Sequence, residues 1–292
     1  MISPSELIRP EPVWPVDDEF KDSYEQMVRI GRGTAKEQDV VVVSIARNAK
    51  PYLANTCLLV DELRQGFKTL RWFVYENDSI DGTGEFLDMF ASGREWVTVE
   101  RETLGVPDDR GFQKSRTERL AGCRKRCLEW VRQNAASASW VVALDVDPQQ
   151  GFSVDGIFNS IGWLCHKRTQ PSVTKPGGMA SYSLYAIKDP DGGPVPRIAH
   201  YDAWAARPNW WRDRKDEIGM AWFSMLLYPV GAPPVAFNSA FGGLCVYATE
   251  AFLAGGYSGE DCEHVPHHRR MRGAGWQLYL NPGSRYIAIW ET

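Results

Sequence analysis

Three stretches of this chain are apolar with almost no alternation, and their spacing organises the rest. Asp39-Val-Val-Val-Val-Ser-Ile45, Leu70-Arg-Trp-Phe-Val-Tyr75 and Val141-Val-Ala-Leu144 have the near-continuous character of strands buried on both faces of a parallel sheet. Between the first two, Leu53, Cys57, Leu58, Leu59 and Leu63 recur at helical spacing and predict a helix over 52–66. After the second, the acidic turn Glu76-Asn-Asp-Ser-Ile-Asp-Gly-Thr83 opens a helix over 84–90, with Thr83 as its N-cap. Val97-Thr-Val-Glu-Arg101 predicts a third strand. Leu120, Cys123, Cys127, Leu128 and Val131 mark the buried face of a helix over 114–133. Strands alternating with helices at these lengths predict a layered α/β domain.

Ligands in such sheets sit beyond the carboxyl ends of the strands. Arg47, Asn48, Glu76, Asp78, Asp145 and Asp147 all fall there. The last two matter most, because four apolar residues run straight into Asp145-Val-Asp147 and Pro148 stops the strand. Two carboxylates at i, i+2 on a sheet rim can face one divalent cation. Mg2+ and Mn2+ accept such oxygens and fill their other positions with substrate phosphates and water. Surface loops also produce Asp-x-Asp by chance, so the strand context carries the assignment. No Gly-x-Gly-x-x-Gly follows the first strand and no Gly-x-x-x-x-Gly-Lys occurs; Gly31-Arg-Gly33 precedes the strand and reads as a linker. Phosphates then have to be held by a metal and by basic side chains. On the helix over 114–133, at about 100° per residue, Arg116 and Arg124 fall on the apolar side while Arg119 and Arg126 point elsewhere. An inward arginine needs an anion. That anion is either an internal carboxylate or, for Arg116 one turn into the helix, a bound diphosphate.

The second half carries a different chemistry. Residues 166–200, rich in Pro, Gly, Ser and Lys, read as a loop over the site apart from a strand at 180–187. Trp204, Trp210, Trp211 and Trp222 either pack in the core or floor a sugar subsite. Asp202, a polar residue among aromatics, reads as a structural hydrogen-bonding group. Gly242 and Gly243, just before Leu244-Cys-Val-Tyr247, either let backbone approach a ligand or simply turn into a strand. Gly259-Glu-Asp-Cys-Glu-His-Val-Pro-His-His-Arg-Arg270 is the densest polar cluster, suited to acid/base groups, metal ligands or a solvated turn. A short helix over 269–274 and a strand over 276–280 follow it.

Composition narrows the class. At 292 residues and 43% hydrophobic, the chain can bury a large core. A net charge of −4 gives no general electrostatic footprint for nucleic acid and leaves only local basic stretches, at 207–215 and 267–272. The six cysteines lack zinc spacing and read as reduced thiols of a cytoplasmic protein. Residues 1–36 contain no apolar run long enough for a signal peptide or membrane span and are expected to wrap the surface or stay partly disordered.

Together, the Asn77-Asp-Ser-Ile-Asp-Gly-Thr83 turn, the Arg-rich helix and the strand-terminal Asp145-Val-Asp147 resemble the GT-A fold of nucleotide-sugar glycosyltransferases. Four blocks resemble, more narrowly, the fungal capsule-associated α-1,3-mannosyltransferase family and its bacterial and viral relatives. They are Arg119-Leu-Ala-Gly-Cys-Arg124, Tyr201-Asp-Ala-Trp204, Phe237-Asn-Ser-Ala-Phe-Gly-Gly243, and Glu260-Asp-Cys-Glu-His264 leading to Asn281-Pro282. Lys125 departs from that pattern, which more often has Asn there, and the family's N-terminal membrane anchor is missing. The resemblance implies a single elaborated α/β domain, a GT-A (Rossmann-like) mixed sheet flanked by helices. It would comprise an N-terminal extension (1–36), a nucleotide-sugar-binding half (37–150) and an acceptor-binding, catalytic half (151–292). It also implies a retaining hexosyl- or pentosyltransferase that moves a sugar from a GDP- or UDP-sugar to a hydroxyl acceptor, with Mn2+ or Mg2+ on Asp145 and Asp147. Donor contacts would come from Arg47, Asn48, Glu76, Asp78, Arg116, Arg124, Asp145, Gly242 and Gly243. Asp261, with Glu260 or Glu263, would orient the acceptor, Asp261 or Glu260 also deprotonating its hydroxyl if the enzyme instead inverts, and His267 or His268, beyond the Pro266 bend, would complete the metal shell. The alternatives are a glycosyltransferase acting on a modified nucleic-acid base, or a two-metal nucleotidyltransferase. The latter would more naturally carry a Gly-rich, Lys-containing loop after the first strand.

Overall fold

The valine run becomes the middle of a sheet. The computed structural model describes residues 7–107, 113–188, 193, 197–209 and 228–291. In it Asp39–Ala46 (β1), Thr69–Asn77 (β2), Val97–Glu102 (β3) and Trp140–Leu144 (β4) lie parallel in the order β3-β2-β1-β4. Val40 to Val43 are at most 1% exposed, which an unalternating apolar sequence requires of a strand covered on both faces. Lys50–Arg64 (α2), Thr83–Ala91 (α3) and Lys114–Asn134 (α4) make the connections, following Lys21–Ala35 (α1). The chain steps outward from β1 to β2 and β3, then returns through α4 to β4 on the other side of β1. The crevice between β1 and β4 is therefore the topological switch point of the sheet.

Beyond β4 the sheet turns mixed. Val154–Arg168 (α5) leads to Lys175–Ile187 (β5), Arg197–His200 (β6) and Arg207–Pro208 (β7); Val235–Ser239 (β8) and Leu244–Ala248 (β9) follow. Thr249–Ala254 (α6), His264–Gly273 (α7) and Trp276–Trp290 (β10) complete the described chain. β9 runs antiparallel between β4 and β5, and β10 lies parallel to β5. β5 starts earlier than the pattern suggested and β10 runs far longer. Register shifts at Gln277/Leu278, Asn281/Arg285 and Ile287/Ile289 let β10 continue through Asn281-Pro-Gly-Ser284, which in sequence looks like its end. The described part of 166–200 is accordingly mostly buried strand and not a loop over the site.

Two local expectations are corrected. Thr83 does not cap its own helix, which starts after Gly82 at φ 88. Its hydroxyl oxygen instead accepts from the Ala49 and Lys50 amides (2.8 and 3.0 Å), satisfying the exposed donors at the start of α2. Gly31-Arg-Gly33 is not a linker but part of α1, which packs along α5. A Cβ on Gly31 would fall 1.8 Å from the Phe158 carbonyl oxygen, and one on Gly162 would fall 2.1 Å from that of Met27. The two helices touch backbone to backbone.

Residues 7–20, before α1, are also tied into the fold. Arg285, 1% exposed on β10, donates to the Trp14 carbonyl (2.6 Å), the Tyr24 hydroxyl (3.1 Å) and Glu11 Oε1 (3.3 Å). The Trp14 ring rests on Tyr182 with centroids 4.8 Å apart. All six cysteines are free. Among the described residues, no helix is long and apolar enough to cross a membrane.

The glycine contact is testable. Gly31→Ala is expected to destabilise the protein by about 1–3 kcal/mol in urea unfolding, the usual cost of forcing atoms into a packed interface. Gly33→Ala, on the same helix but with nothing near its Cβ, should be neutral or slightly stabilising. Equal effects from the two would contradict the close approach.

Candidate active site

Where β1 and β4 part, a cleft of about 570 Å³ opens at the carboxyl ends of the strands, a size suited to a small-molecule ligand. Each element delivers residues to it. Arg47 comes from beyond β1, Asn77 from the end of β2, and Arg116, Arg119 and Arg124 from α4; Asp145 and Asp147 follow β4. Tyr201, Asp202 and Trp204 form another wall with Phe241, Gly243, Glu263, His264 and Tyr286.

The Asp-x-Asp pair is held from several sides. The Asp145 amide donates to the Gly243 carbonyl (2.8 Å), tying the first carboxylate to the entry of β9. Gly242 and Gly243 adopt φ 66 and 80, and a Cβ on either would meet Ser181 O or the Tyr286 ring at 2.4 Å. Their freedom thus serves packing against the protein itself, although Gly243 still lines the cleft. The Tyr286 hydroxyl donates to Asp147 Oδ1 (3.3 Å). Asp147 opens onto the cleft; desolvation by the surrounding walls, and next the charge of Asp145, raise its carboxyl to about 6.

Arg124 is 3% exposed, with Nη2 2.5 Å from Asp145 Oδ1, Nε 3.7 Å from Glu263 Oε1 and its guanidinium 5.0 Å above the Phe241 ring. Glu263 is 4% exposed, and burial pushes its carboxyl upward while Arg124 opposes. The His264 ring stacks on Phe241 at 3.7 Å, with Nε2 3.4 Å from Glu263. Burial and the Arg124 charge hold this histidine neutral, and neither ring nitrogen has a hydrogen-bond partner.

The polar segment from Gly259 onward divides in a way the sequence does not reveal. Of its acidic residues, Glu263 alone lines the cleft. Asp261 has no exposed side-chain surface. Its Oδ1 accepts from Arg207 Nη2 (3.1 Å) and the Cys262 amide (2.7 Å), which makes it a buried structural ion pair and not an acceptor-side carboxylate. Glu260 points to solvent and pairs with Arg269 at 3.0 Å. Neither His267 nor His268 lines the cleft. His268 sits between Ser239 Oγ (2.9 Å) and the Tyr247 hydroxyl (2.8 Å), while His267 stacks on Tyr257 at 4.2 Å and burial lowers its pKa to about 3. Both rings are packed among aromatics, so the expected metal ligation is corrected; His264 is the histidine that reaches the cleft.

At the other end, Asn48, Glu76 and Asp78 are not on the cleft wall. Asn48 Oδ1 accepts from the Ile80 amide (2.9 Å) and Glu76 from the Ser79 amide (3.0 Å), while Asp78 accepts from Leu104 and Gly105 (2.9 and 3.0 Å). They knit the acidic turn together, and Asn77 between them faces the cleft. Glu76 and Asn77, successive residues of β2, point to opposite sides of the sheet. Arg116 lies over the Trp204 ring at 4.9 Å. Arg119, expected to point away, also lines the cleft and donates to the Pro107 carbonyl, because the site lies around the first half of α4 where flanking side chains reach in. Arg126 pairs with Glu102 outside it. Asp202 accepts from the Gly242, Phe241 and Ala205 amides (2.6, 3.1 and 3.3 Å), and burial pushes its carboxyl up to about 7. Trp210, Trp211 and Trp222, and the basic stretch beyond 209, lie outside the described residues.

Among the described residues, no three His, Cys, Asp or Glu side chains form a ready-made metal cage. Two carboxylates still fit Mg2+ or Mn2+, which habitually take one or two protein oxygens and complete their shell with substrate phosphates and water.

No family model matches the chain, and no curated protein matches its sequence. Solved structures do. GalNAc-T7 with UDP, GalNAc and Mn2+ is 16% identical over 88% of this chain and 44% of that one, at a TM-score of 0.50. The mannosyltransferase PcManGT from Pyrobaculum calidifontis, in complex with GDP-Man and Mn2+, is 14% identical over 92% of this chain and 66% of its own, at 0.49. TarS of S. aureus is 12% identical over 86% and 60%, at 0.47. The chain spans less than two thirds of each of these proteins, and at such identities the likeness is one of fold. That fold is GT-A, a mixed sheet flanked by helices.

Two outcomes follow from this geometry. Asp261→Asn should cost about 3–5 kcal/mol in unfolding free energy, the usual effect of breaking a buried ion pair, with no change in Mn2+ affinity. A selective loss of metal or ligand binding would contradict the structural role. For Asp147, a folded pKa raised to about 6 means that the fold favours the protonated acid. Its contribution to stability is full below the unfolded value, near 4, and is lost as pH rises through 6. A metal held by Asp147 would have to displace that proton, so Mn2+ binding in the presence of nucleotide, followed by calorimetry, should weaken about tenfold per pH unit below 6 and be flat above 7.

Proposed function

We propose that this chain is a metal-dependent glycosyltransferase moving a sugar from a nucleoside-diphosphate sugar to a hydroxyl acceptor. The observation that carries this is the Asp145/Asp147 pair at the switch point of a GT-A sheet, facing Arg116, Arg119 and Arg124 across one cleft. Structures of like fold hold GDP-Man or UDP together with Mn2+. Parts of the four sequence blocks also converge, since Arg119–Arg124, Tyr201–Trp204, Phe237–Gly243 (through Phe241 and Gly243) and Glu260–His264 (through Cys262, Glu263 and His264) each contribute to the cleft wall, while Asn281-Pro282 does not. That convergence supports the narrower likeness to the capsule mannosyltransferases.

Asp145 and Asp147 would hold the Mn2+ or Mg2+, which when bound supplies charge neutralisation for the leaving diphosphate. Arg116, Arg119 and Arg124 offer charge-assisted hydrogen bonds to the phosphate oxygens. Arg47 and Asn77 flank the nucleoside end. Glu263 is the carboxylate on the sugar side, and neutral His264, stacked on Phe241, packs beside it. The rings of Tyr201 and Trp204 offer faces against which a sugar can stack. Under a retaining course, the leaving phosphate receives the acceptor's proton and Glu263 stabilises positive charge at the anomeric carbon. Residues 37–150 then serve the donor and 151–292 the acceptor, with Glu263 and Tyr201 on the acceptor side.

A thermal-shift series of UDP-, GDP- and CMP-sugars with Mn2+ tests the reading. One donor should raise the melting temperature, about 2.7 kcal/mol of stabilisation at a hundredfold excess over Kd. Asp145→Asn and Asp147→Asn should stay folded and lose the shift. If no nucleotide-sugar shifts the wild type with or without metal, the function is not this one. Glu263→Gln should lower kcat by about 10²–10⁴ and leave donor affinity within a few fold.

A further inference from the structure

Arg124 is an awkward group to leave in the interior. Its guanidinium is buried, yet Nε and Nη1 have no hydrogen-bond partner, and Nη2 spends its bond on Asp145 at 2.5 Å. A buried guanidinium with most of its donors unused is costly and is matched to an anion that can take several N–H groups at once. The same contact has a second effect. A cation bonded to Asp145 Oδ1 occupies one of the two carboxylates that a metal would need, and it repels a divalent ion at short range in a weakly screened site. No third side chain of the described residues is grouped with them to offset that. Arg124 also has somewhere else to go, because Glu263 Oε1 lies 3.7 Å from its Nε.

We propose that Arg124 stands in for the metal in the nucleotide-free protein, and that a divalent cation gains Asp145 only when a nucleoside diphosphate arrives to take the arginine. This inference rests on the reading of the cleft as a metal–nucleotide site. The diphosphate oxygens receive the Nη1 and Nη2 N–H groups, Nη2 leaves Asp145, and Glu263 stays beside Nε and keeps the charge neutralised on that side. Only a side chain moves; α4 and β4 stay in place. Metal and nucleotide therefore bind as a linked pair, each raising the affinity of the other by the same factor. The cleft avoids filling with a bare metal ion that no substrate accompanies.

The distinguishing experiment uses Mn2+ alone. A simple phosphate-binding arginine, when removed, leaves metal affinity unchanged in the absence of nucleotide. A stand-in cation, when removed, releases Asp145 and raises that affinity. Calorimetric titration of nucleotide-free Arg124→Gln with Mn2+ should show binding about tenfold or more tighter than wild type, within the usual range for coupled sites. Affinity for UDP and GDP should fall in the same variant. Mn2+ alone should also raise the melting temperature of the variant and not that of the wild type; a variant unfolded without metal should be refolded by Mn2+ alone. Binding of Mn2+ no tighter than wild type, or a variant that stays unfolded at saturating Mn2+, overturns the inference. Wild type that fails to bind Mn2+ with either nucleotide sinks the donor reading and this inference together. Wild type that binds it with nucleotide, beside a variant showing no gain, sinks the inference alone.

Discussion

The hydrogen bond from the Asp145 amide to the Gly243 carbonyl joins the parallel and mixed parts of the sheet at the point where the charged residues gather. β4 and β9 are in register up to Leu144 opposite Leu244, and this bond extends the contact by one residue. It forms because Gly242 and Gly243 take backbone angles that residues with a Cβ rarely adopt and pass within contact distance of Ser181 and Tyr286. The consequence runs along the chain. With Asp145 fixed, Val146 turns inward and its carbonyl accepts from the Thr56 hydroxyl (3.1 Å), so Asp147 emerges on the cleft side within reach of Tyr286. The i, i+2 carboxylates share a direction because the residue between them is buried.

Much of the parallel half was legible in the sequence, and for a physical reason. A strand buried on both faces must be apolar throughout, and β1, β2 and β4 say so without ambiguity. The strand-end position of Asp145 and Asp147 followed at once. What stayed hidden depends on partners distant in sequence. Asp261 and Glu263 are chemically alike and two residues apart. Only the location of Arg207, fifty-four positions upstream of Asp261, decides that one goes under the floor and the other faces the cleft. Likewise Thr83 looks like a cap for the helix it begins, and its true client is the start of another helix. Gly31 reads as punctuation because nothing local says that Phe158 will lie against it. Arg119 was missed because helical angle ignores the length and reach of an arginine near a cleft.

Charge among the described residues of the cleft is nearly balanced. Arg47, Arg116, Arg119 and Arg124 face Asp145, Asp147, Asp202 and Glu263, and the whole chain carries only −4. A site built this way exerts little long-range pull on a charged ligand. Its selectivity comes from short-range geometry, since a doubly charged phosphate chain and its counter-cation can enter together without upsetting the sum. The raised carboxyls of Asp147 and Asp202 belong to the same picture, being acids that the surrounding walls partly desolvate.

The clasp around Arg285 has an implication for how the chain can be cut. Arg285 is the neighbour of Tyr286, so the residue that the N-terminal segment holds is adjacent to the one that steadies Asp147. Trimming to the first long helix would look harmless by inspection, because residues 7–20 hold little regular structure. It would remove Glu11 and the Trp14 carbonyl and leave the buried guanidinium with the Tyr24 and Ser153 hydroxyls but without its carboxylate, beside the residue that contacts Asp147. The minimal folding unit of this protein therefore begins before its first long helix, and tags or fusion junctions belong upstream of Glu11.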